Sequence, residues 1–344
     1  LRNEDGTGVL IGLTEIGEVH GYIIDDMERV PAEGLLLYRG YDLREVVAGF
    51  QKDRRFGFEE VAYLLLFGVL PTESELDGFR TLLGEHRTLP DNFTEDMILR
   101  APSNDIMNKL ARSVLSAYSY DDEAEDLSTR NVLRQSIELI ARFPTMVAYG
   151  FQAKRHYYHG ESLFLHSPNP SLSTAENLLQ MIRLSQEYTP LEAETLDLAL
   201  VLHAEHGGGN NSAFTVHVVS SAATDTYSAI AAAVGSLKGA KHGGANAKVI
   251  AMMEDIKANV SDWSSEKEVG DYLRKILRRE AFDGSGLIYG MGHAVYTLSD
   301  PRAVLLKGKA RELAAEKEYS QEFALYELIE RVVPDIFHDE KNTD

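Results

Sequence analysis

After one short β region, this chain carries its apolar residues almost entirely at helical spacing, and that period limits its fold more than any other feature. Val9 to Asp25 holds apolar residues punctuated by Gly12, Gly17 and Gly21, the pattern of strands and turns. Beyond it the spacing predicts helices over 58–68, 73–85, 105–119, 129–151, 174–187, 191–206, 212–221, 225–237, 245–258, 266–279, 301–316 and 320–332. The expected class is therefore mainly α, with a short β hairpin near the N-terminus. The helix from Asp225 to Leu237 is rich in alanine, and small side chains let helices approach closely, either in an interior contact or at a subunit interface. Gly6-Thr7-Gly8 has no strand before it, so it is a poor dinucleotide loop.

Two histidines are set in glycine: His242 in Gly-Ala-Lys-His-Gly-Gly-Ala-Asn and His293 in Tyr-Gly-Met-Gly-His-Ala-Val-Tyr. Glycine beside an imidazole removes bulk, so a small molecule can approach both the ring and the peptide N–H groups. The run Val249, Ile250, Met252, Met253, Ile256 places His242 at or just before a helix N-terminus, where the dipole favours the neutral ring. After His293, Ser299-Asp300-Pro301-Arg302 reads as a cap, a proline at the first helical position and an arginine in the first turn. A cation there opposes the dipole. Either an anion lies between the guanidinium and the exposed N–H groups, or Arg302 is a solvated surface residue.

A third cluster, His203-Ala204-Glu205-His206 followed by three glycines and Asn210-Asn211-Ser212, ends an apolar helical stretch. His203 and His206 are expected on one helix face. The His-Glu-x-x-His spacing of zinc proteases is absent and there is no cysteine, so substrate hydrogen bonding suits this polar end better than metal.

In this order the segments resemble the citrate synthases. Gly34-Leu-Leu-Leu-Tyr-Arg-Gly-Tyr41 is similar to the family's strand and turn. Phe58 to Gly68 with Leu70-Pro71-Thr72 is similar to its helix and break, and the three histidine segments follow in family order. The resemblance implies condensation of acetyl-CoA with oxaloacetate and water to citrate and CoA, with no cofactor beyond these substrates. It implies a homodimer of subunits with a large helical domain (1–243) and a smaller helical one (244–344), the site lying between them. His206 would hydrogen-bond oxaloacetate, with Asn210 and Ser212 as supporting polar groups. His242 would stabilise the enol or enolate of acetyl-CoA, His293 would polarise the oxaloacetate carbonyl, and Arg302 would pair with a substrate carboxylate. Leu287, Ile288, Tyr289, Gly290 and Met291 would lie along CoA.

Two parts of the family pattern are missing from these residues. The general-base aspartate and further substrate arginines are implied beyond residue 344, so the chain is expected to be part of a longer one. Asp262 and Asp335 stand in the wrong contexts to replace that aspartate. Tyr296-Thr297-Leu298 occupies a place where relatives often carry a basic residue for CoA phosphate, leaving Lys238, Lys241 or arginines elsewhere to serve.

Composition agrees with this reading. A net charge of −20 argues against nucleic-acid binding and requires local positive potential wherever anions bind. The absence of cysteine excludes disulfides and thiol catalysis and is compatible with a reducing cytoplasm, the expected location. No apolar run is long enough to span a bilayer and no signal-peptide pattern is visible. Alternatives are a 2-methylcitrate synthase using propionyl-CoA, a zinc hydrolase using His203 and His206, and a non-catalytic CoA- or dicarboxylate-binding paralogue.

Overall fold

A computed structural model describes residues 14–25, 28–239, 242–292, 295–296 and 298–341. Strands β1 (Gly17–Asp25) and β2 (Glu28–Tyr38) form an antiparallel hairpin running in register from Gly17↔Tyr38 to Asp25↔Glu28, with a shift between His20 and Tyr22. A two-residue strand, β3 (Tyr41–Asp42), pairs with the end of β2. Among the described residues everything that follows is helical or loop, in keeping with the apolar period.

The helices are α1 (Leu43–Lys52), α2 (Phe58–Phe67), α3 (Glu73–Glu85), α4 (Ile106–Ala117), α5 (Thr129–His159), α6 (Thr174–Ile182), α7 (Pro190–Leu202), α8 (Asn211–Ser220), α9 (Thr226–Leu237), α10 (Ala245–Asn259), α11 (Glu266–Leu277), α12 (Pro301–Glu316) and α13 (Ser320–Lys341). A π-helical turn, Thr94–Leu99, precedes α4. Caps explain many of the starts. Thr72, Ser173 and Thr189 each make a reciprocal capping box with a glutamate three residues on, and Pro190 and Pro301 occupy first positions.

Four differences from the sequence reading have physical causes. Helix α1 was not anticipated, although Asp42 caps it and Leu43, Val46, Val47 and Phe50 are buried along one face. Helix α13 runs through Pro334 to Lys341, because Val332, Val333 and Ile336 are buried on both sides of the proline and their packing outweighs the lost hydrogen bond. Asp335 is consequently inside a helix and does not end one. Helix α7 stops at Leu202, so His203 and His206 do not share a helix face. The buried Tyr38 hydroxyl, which donates to the Val201 carbonyl at 3.0 Å and lies 3.5 Å from that of Leu202, meets groups that a continuing helix would have used.

Three large cores result. One joins α4, α5 and α9 through Val114, Met146, Ala148 and Tyr227, and includes Phe93 and Ile98. The second sits under the hairpin, where Leu36, Tyr38, Leu43, Val47, Leu64, Leu198 and Val201 pack together. The third, Met252, Ile256, Leu273, Ile276, Leu325 and Val333, is built by α10, α11 and α13. Each fully buried aliphatic or aromatic side chain contributes about 1.5–3 kcal/mol. Helix α12 leans on the second core, adding Leu305 and Leu306 to it. Among the described residues no helix is long and apolar enough to cross a membrane.

The buried carboxylate of Asp197, on α7, accepts from the Gly57 and Phe58 N–H groups at 2.6 and 3.1 Å and so fixes the start of α2. Burial pushes its carboxyl up to about 7, reinforced by Glu59 and opposed by those two N–H donors and by Arg80. A carboxyl that holds its proton more tightly in the folded state costs stability as pH rises from about 4 through about 7. Asp197→Asn should remove that slope. Thermal unfolding of both proteins between pH 4 and 8 should show the wild type losing stability relative to the variant across this window, and parallel curves would refute the assignment.

Candidate functional site

The site is assembled from helix ends. Beyond α7, residues 203–210 form a glycine-rich turn leading into α8, whose N-cap Asn210 accepts from the N–H groups of Ser212 and Ala213 at 2.9 and 3.3 Å. His203 Nδ1 lies 2.6 Å from the Ala199 carbonyl, a contact at the end of α7. Asn210 thus shapes the helix start, and Ser212 makes the contact across the chain. Its Oγ is 2.8 Å from His242 Nε2 and 3.3 Å from the Ala233 carbonyl on α9.

His242 sits where the sequence put it, in the turn before α10, with its N–H donating to the Gly239 carbonyl. Glycine is required in this turn. A Cβ on Gly244 would collide with the Lys238 carbonyl and lie 2.8 Å from that of Gly239, and one on Gly243 would lie 2.6 Å from Leu237 Cδ1. Half-buried His242 is thereby held close behind α9 and beside the first turn of α8.

The second group of side chains is gathered at the start of α12. Asp300 is the N-cap, Pro301 occupies the first turn, and Arg302 follows, as the local sequence indicates. The anion beside Arg302 is supplied by the chain itself: Nε and Nη2 donate to the two Asp300 oxygens at 3.0 and 2.7 Å. Arg302 is partly buried, so it is not the freely solvated surface residue of the second reading. Its Cζ lies 5.9 Å from the centroid of the Tyr296 ring, which in turn meets the His206 imidazole edge-on at 5.6 Å and 82°. His206 and Arg302 are therefore brought together around one aromatic ring. His293 and Lys241 lie outside the described residues.

The five residues assigned to CoA divide by environment. Ile288 is buried in the third core, leaving only its backbone for a ligand, whereas Leu287 is exposed. Tyr289, Gly290 and Met291 line a mostly apolar, half-open cavity of about 330 Å³, together with Val249 and Met253 of α10 and Tyr326 of α13. Lys248 flanks this loop, its ammonium 3.1 Å from Asp283 and 5.7 Å from the Tyr289 ring centroid. Lys238, in contrast, is 3.5 Å from Asp105. A wider groove of about 1010 Å³ between the ends of α5, α6 and α12 is lined by the ion-paired Arg183, Glu192 and Lys317, and by none of the residues named from sequence.

Sequence reasoning missed three groups here. Tyr296 is 5 % exposed, and burial pushes its phenol up to about 12. Burial also holds the Glu205 carboxyl above its usual range, against hydrogen bonds from the Gly207 and His206 backbone. Lys248 looked like any helix-surface lysine. Each also meets residues distant in the chain, Leu35 and His206 at Tyr296, Gly17 at Glu205 and Asp283 at Lys248, which no local pattern reveals.

Comparison with known proteins adds an independent line. Residues 6–344 match the family described as citrate synthase, C-terminal domain. The citrate synthase of Haloferax volcanii is 36% identical over 304 residues, covering 86% of this chain and 74% of that protein. The 2-methylcitrate synthase of Shewanella oneidensis is 30% identical over 282 residues, covering 82% and 68%. Among solved structures, citrate synthase from Pyrobaculum aerophilum superposes with a TM-score of 0.75 at 30% identity, covering 94% of this chain and 74% of that one.

The tight turn before α10 makes a direct prediction. Gly244→Ala should cost about 1–3 kcal/mol of stability, the usual penalty for forcing atoms into a filled space. Chemical denaturation would measure it; a variant as stable as the wild type would show that the turn has room to spare.

Proposed function

The chain belongs to the citrate synthase family, and from that premise we propose that it condenses acetyl-CoA with oxaloacetate and water, releasing citrate and CoA. The observation that carries the site assignment is the contact between Ser212 Oγ and His242 Nε2. We assign the one hydroxyl proton of Ser212 to the shorter, 2.8 Å ring contact, an assignment that leaves the 3.3 Å carbonyl contact unmade. An imidazole that accepts at Nε2 carries its own proton on Nδ1 and can donate it to an oxygen. A thioester α-hydrogen is too weakly acidic to be removed unless charge on the carbonyl oxygen is met as it forms, and His242 Nδ1–H is the proposed donor.

The remaining steps follow from the chemistry. The enol carbon attacks the ketone carbon of oxaloacetate, a C–C bond forms, and the ketone oxygen takes a proton to become the citryl hydroxyl. His293 is proposed to polarise that ketone, and His206 and Arg302 to hold the keto acid through a hydrogen bond and a carboxylate pair. Water then cleaves the C–S bond, giving citrate and CoA. The aspartate that the family uses to take the α-proton is not assigned to any residue of this chain.

For CoA, the apolar cavity behind Tyr289 and Met291 suits the adenine or pantetheine portion, and Lys248 is a cation beside that loop. The proposal includes two lobes, 1–243 and 244–344, supported by the separate core of α10, α11 and α13. It also includes a homodimer and a cytoplasmic location, where acyl-CoA is available. The dimer is supported by α8, none of whose residues is buried although Phe214, Val216, Val218 and Val219 are apolar. Propionyl-CoA remains the second reading, because a methylene in a pocket changes transition-state binding by only about 1–3 kcal/mol and a 2-methylcitrate synthase is among the relatives.

Three measurements test this reading. Release of free CoA thiol from acetyl-CoA should require oxaloacetate, and His242→Ala should lower kcat by about 10²–10³; thiol release indifferent to oxaloacetate, or an unaltered kcat, would refute the assignment. Comparing kcat/KM for acetyl-CoA and propionyl-CoA selects between the two acyl donors. Sedimentation should give a dimer that Val218→Asp weakens, whereas a monomeric wild type would exclude the interface role of α8.

A further inference from the structure

We propose that Tyr296 is a positioning residue for the keto acid, its ring holding His206 and Arg302 in a fixed relation so that both can engage one small dianion. The inference rests on the assignment of those two residues to oxaloacetate and extends it to a side chain with no part in the reaction itself.

Four observations support it. The ring contacts both groups: its centroid is 5.6 Å from that of the nearly perpendicular His206 imidazole, and the Arg302 guanidinium lies over it at 5.9 Å. A π-system can do both at once, since its periphery and its faces carry opposite partial charge. The ring is 5 % exposed, so water does not compete for either contact. The hairpin leaves room for it, because a Cβ on Gly34 would lie 2.8 Å from Tyr296 Cδ1. The phenolic oxygen is 3.4 Å from the Leu35 carbonyl, a long contact that orients the ring and contributes little by itself.

Arg302 is thus constrained twice, in its plane by the two Asp300 oxygens and on its face by Tyr296. Flexible arginine otherwise loses rotamer freedom when it captures a carboxylate, and that loss weakens binding. A ring that orders the guanidinium before the substrate arrives removes part of this cost. The same ring links Arg302 to His206, which comes from a loop nearly a hundred residues away in sequence. Volume alone cannot replace it: leucine or methionine would fill the space but offer no face to the cation.

Calorimetric titration of oxaloacetate into the whole protein tests the idea, with CoA titrated at saturating oxaloacetate as the control. Tyr296→Leu should weaken oxaloacetate binding about tenfold, as loss of the two ring contacts implies. Tyr296→Phe should stay within about twofold of the wild type, and CoA affinity should hold in both. Should the leucine variant fail to fold, Tyr296→Met takes its place with the same expectation. A folded leucine or methionine variant with wild-type oxaloacetate affinity overturns the inference, as does a phenylalanine variant as weak as leucine, which would move the effect to the hydroxyl. A wild type that does not bind oxaloacetate overturns the functional reading and the inference with it.

Discussion

The close contact between the N-terminal hairpin and the segment leading into α12 is the constraint on which the site depends. At Gly21 a side chain would collide with the Val295 carbonyl, and at Gly34 with that of Ser299, so backbone lies on backbone. Ser299 Oγ adds a hydrogen bond from the Gly34 N–H at 3.2 Å. The opposite end of the hairpin touches the loop after α7, Gly17 against Glu205 and Val19 against Gly207. A two-stranded hairpin is marginal on its own. Here it is covered by two loops, and each loop is held in place by it. The element that opens the chain is therefore the brace between His206 and Arg302.

Building a site from helix ends has an electrostatic consequence. Ser212 lies in the first turn of α8, His242 in the turn before α10 and Arg302 in the first turn of α12. Each helix start contributes partial positive charge from N–H groups with no partner inside the helix. A protein with a net charge of −20 repels dianions at long range, so attraction must come from positive charge close to the bound anion. Helix ends, the oriented Arg302 and Lys248, which is itself paired with Asp283, carry positive charge of that kind. Asp300 tempers this, because its carboxylate already occupies part of the Arg302 fork, and the substrate carboxylate proposed for Arg302 would have to approach beside it.

Much of the fold was legible because helical period and caps are local signals. The starts expected at 73, 174, 191 and 301 lie within one residue of those in the structure, where Thr72, Ser173, Thr189 and Asp300 are the caps, and the glycine turn at His242 lies before its helix as read. What failed were the places where tertiary contacts decide. Helix α7 ends early because Tyr38, more than 160 residues upstream, reaches its last carbonyls. Helix α13 continues past Pro334 because its flanks are buried. The site divides in the same way. Sequence indicated Ser212, His206, His242 and Arg302 as polar groups in glycine-rich or capping contexts, but not Tyr296, whose importance lies entirely in what surrounds it.

The alanines of α9 show how a packing feature becomes a chemical one. Alanine-rich α9 was read as a place of close approach, and α9 indeed packs tightly between α4 and α8. Ala229 and Ala233 are buried, and with no bulk at these positions α8 approaches until the Ser212 hydroxyl is within 3.3 Å of the Ala233 carbonyl. His242 follows α9 through a turn that tolerates no extra atoms, so its ring arrives beside the same hydroxyl. A larger residue at 233 would leave the composition of the site unchanged and still part Ser212 from the ring. How closely two helices pack therefore sets the 2.8 Å contact between the Ser212 hydroxyl and the His242 ring.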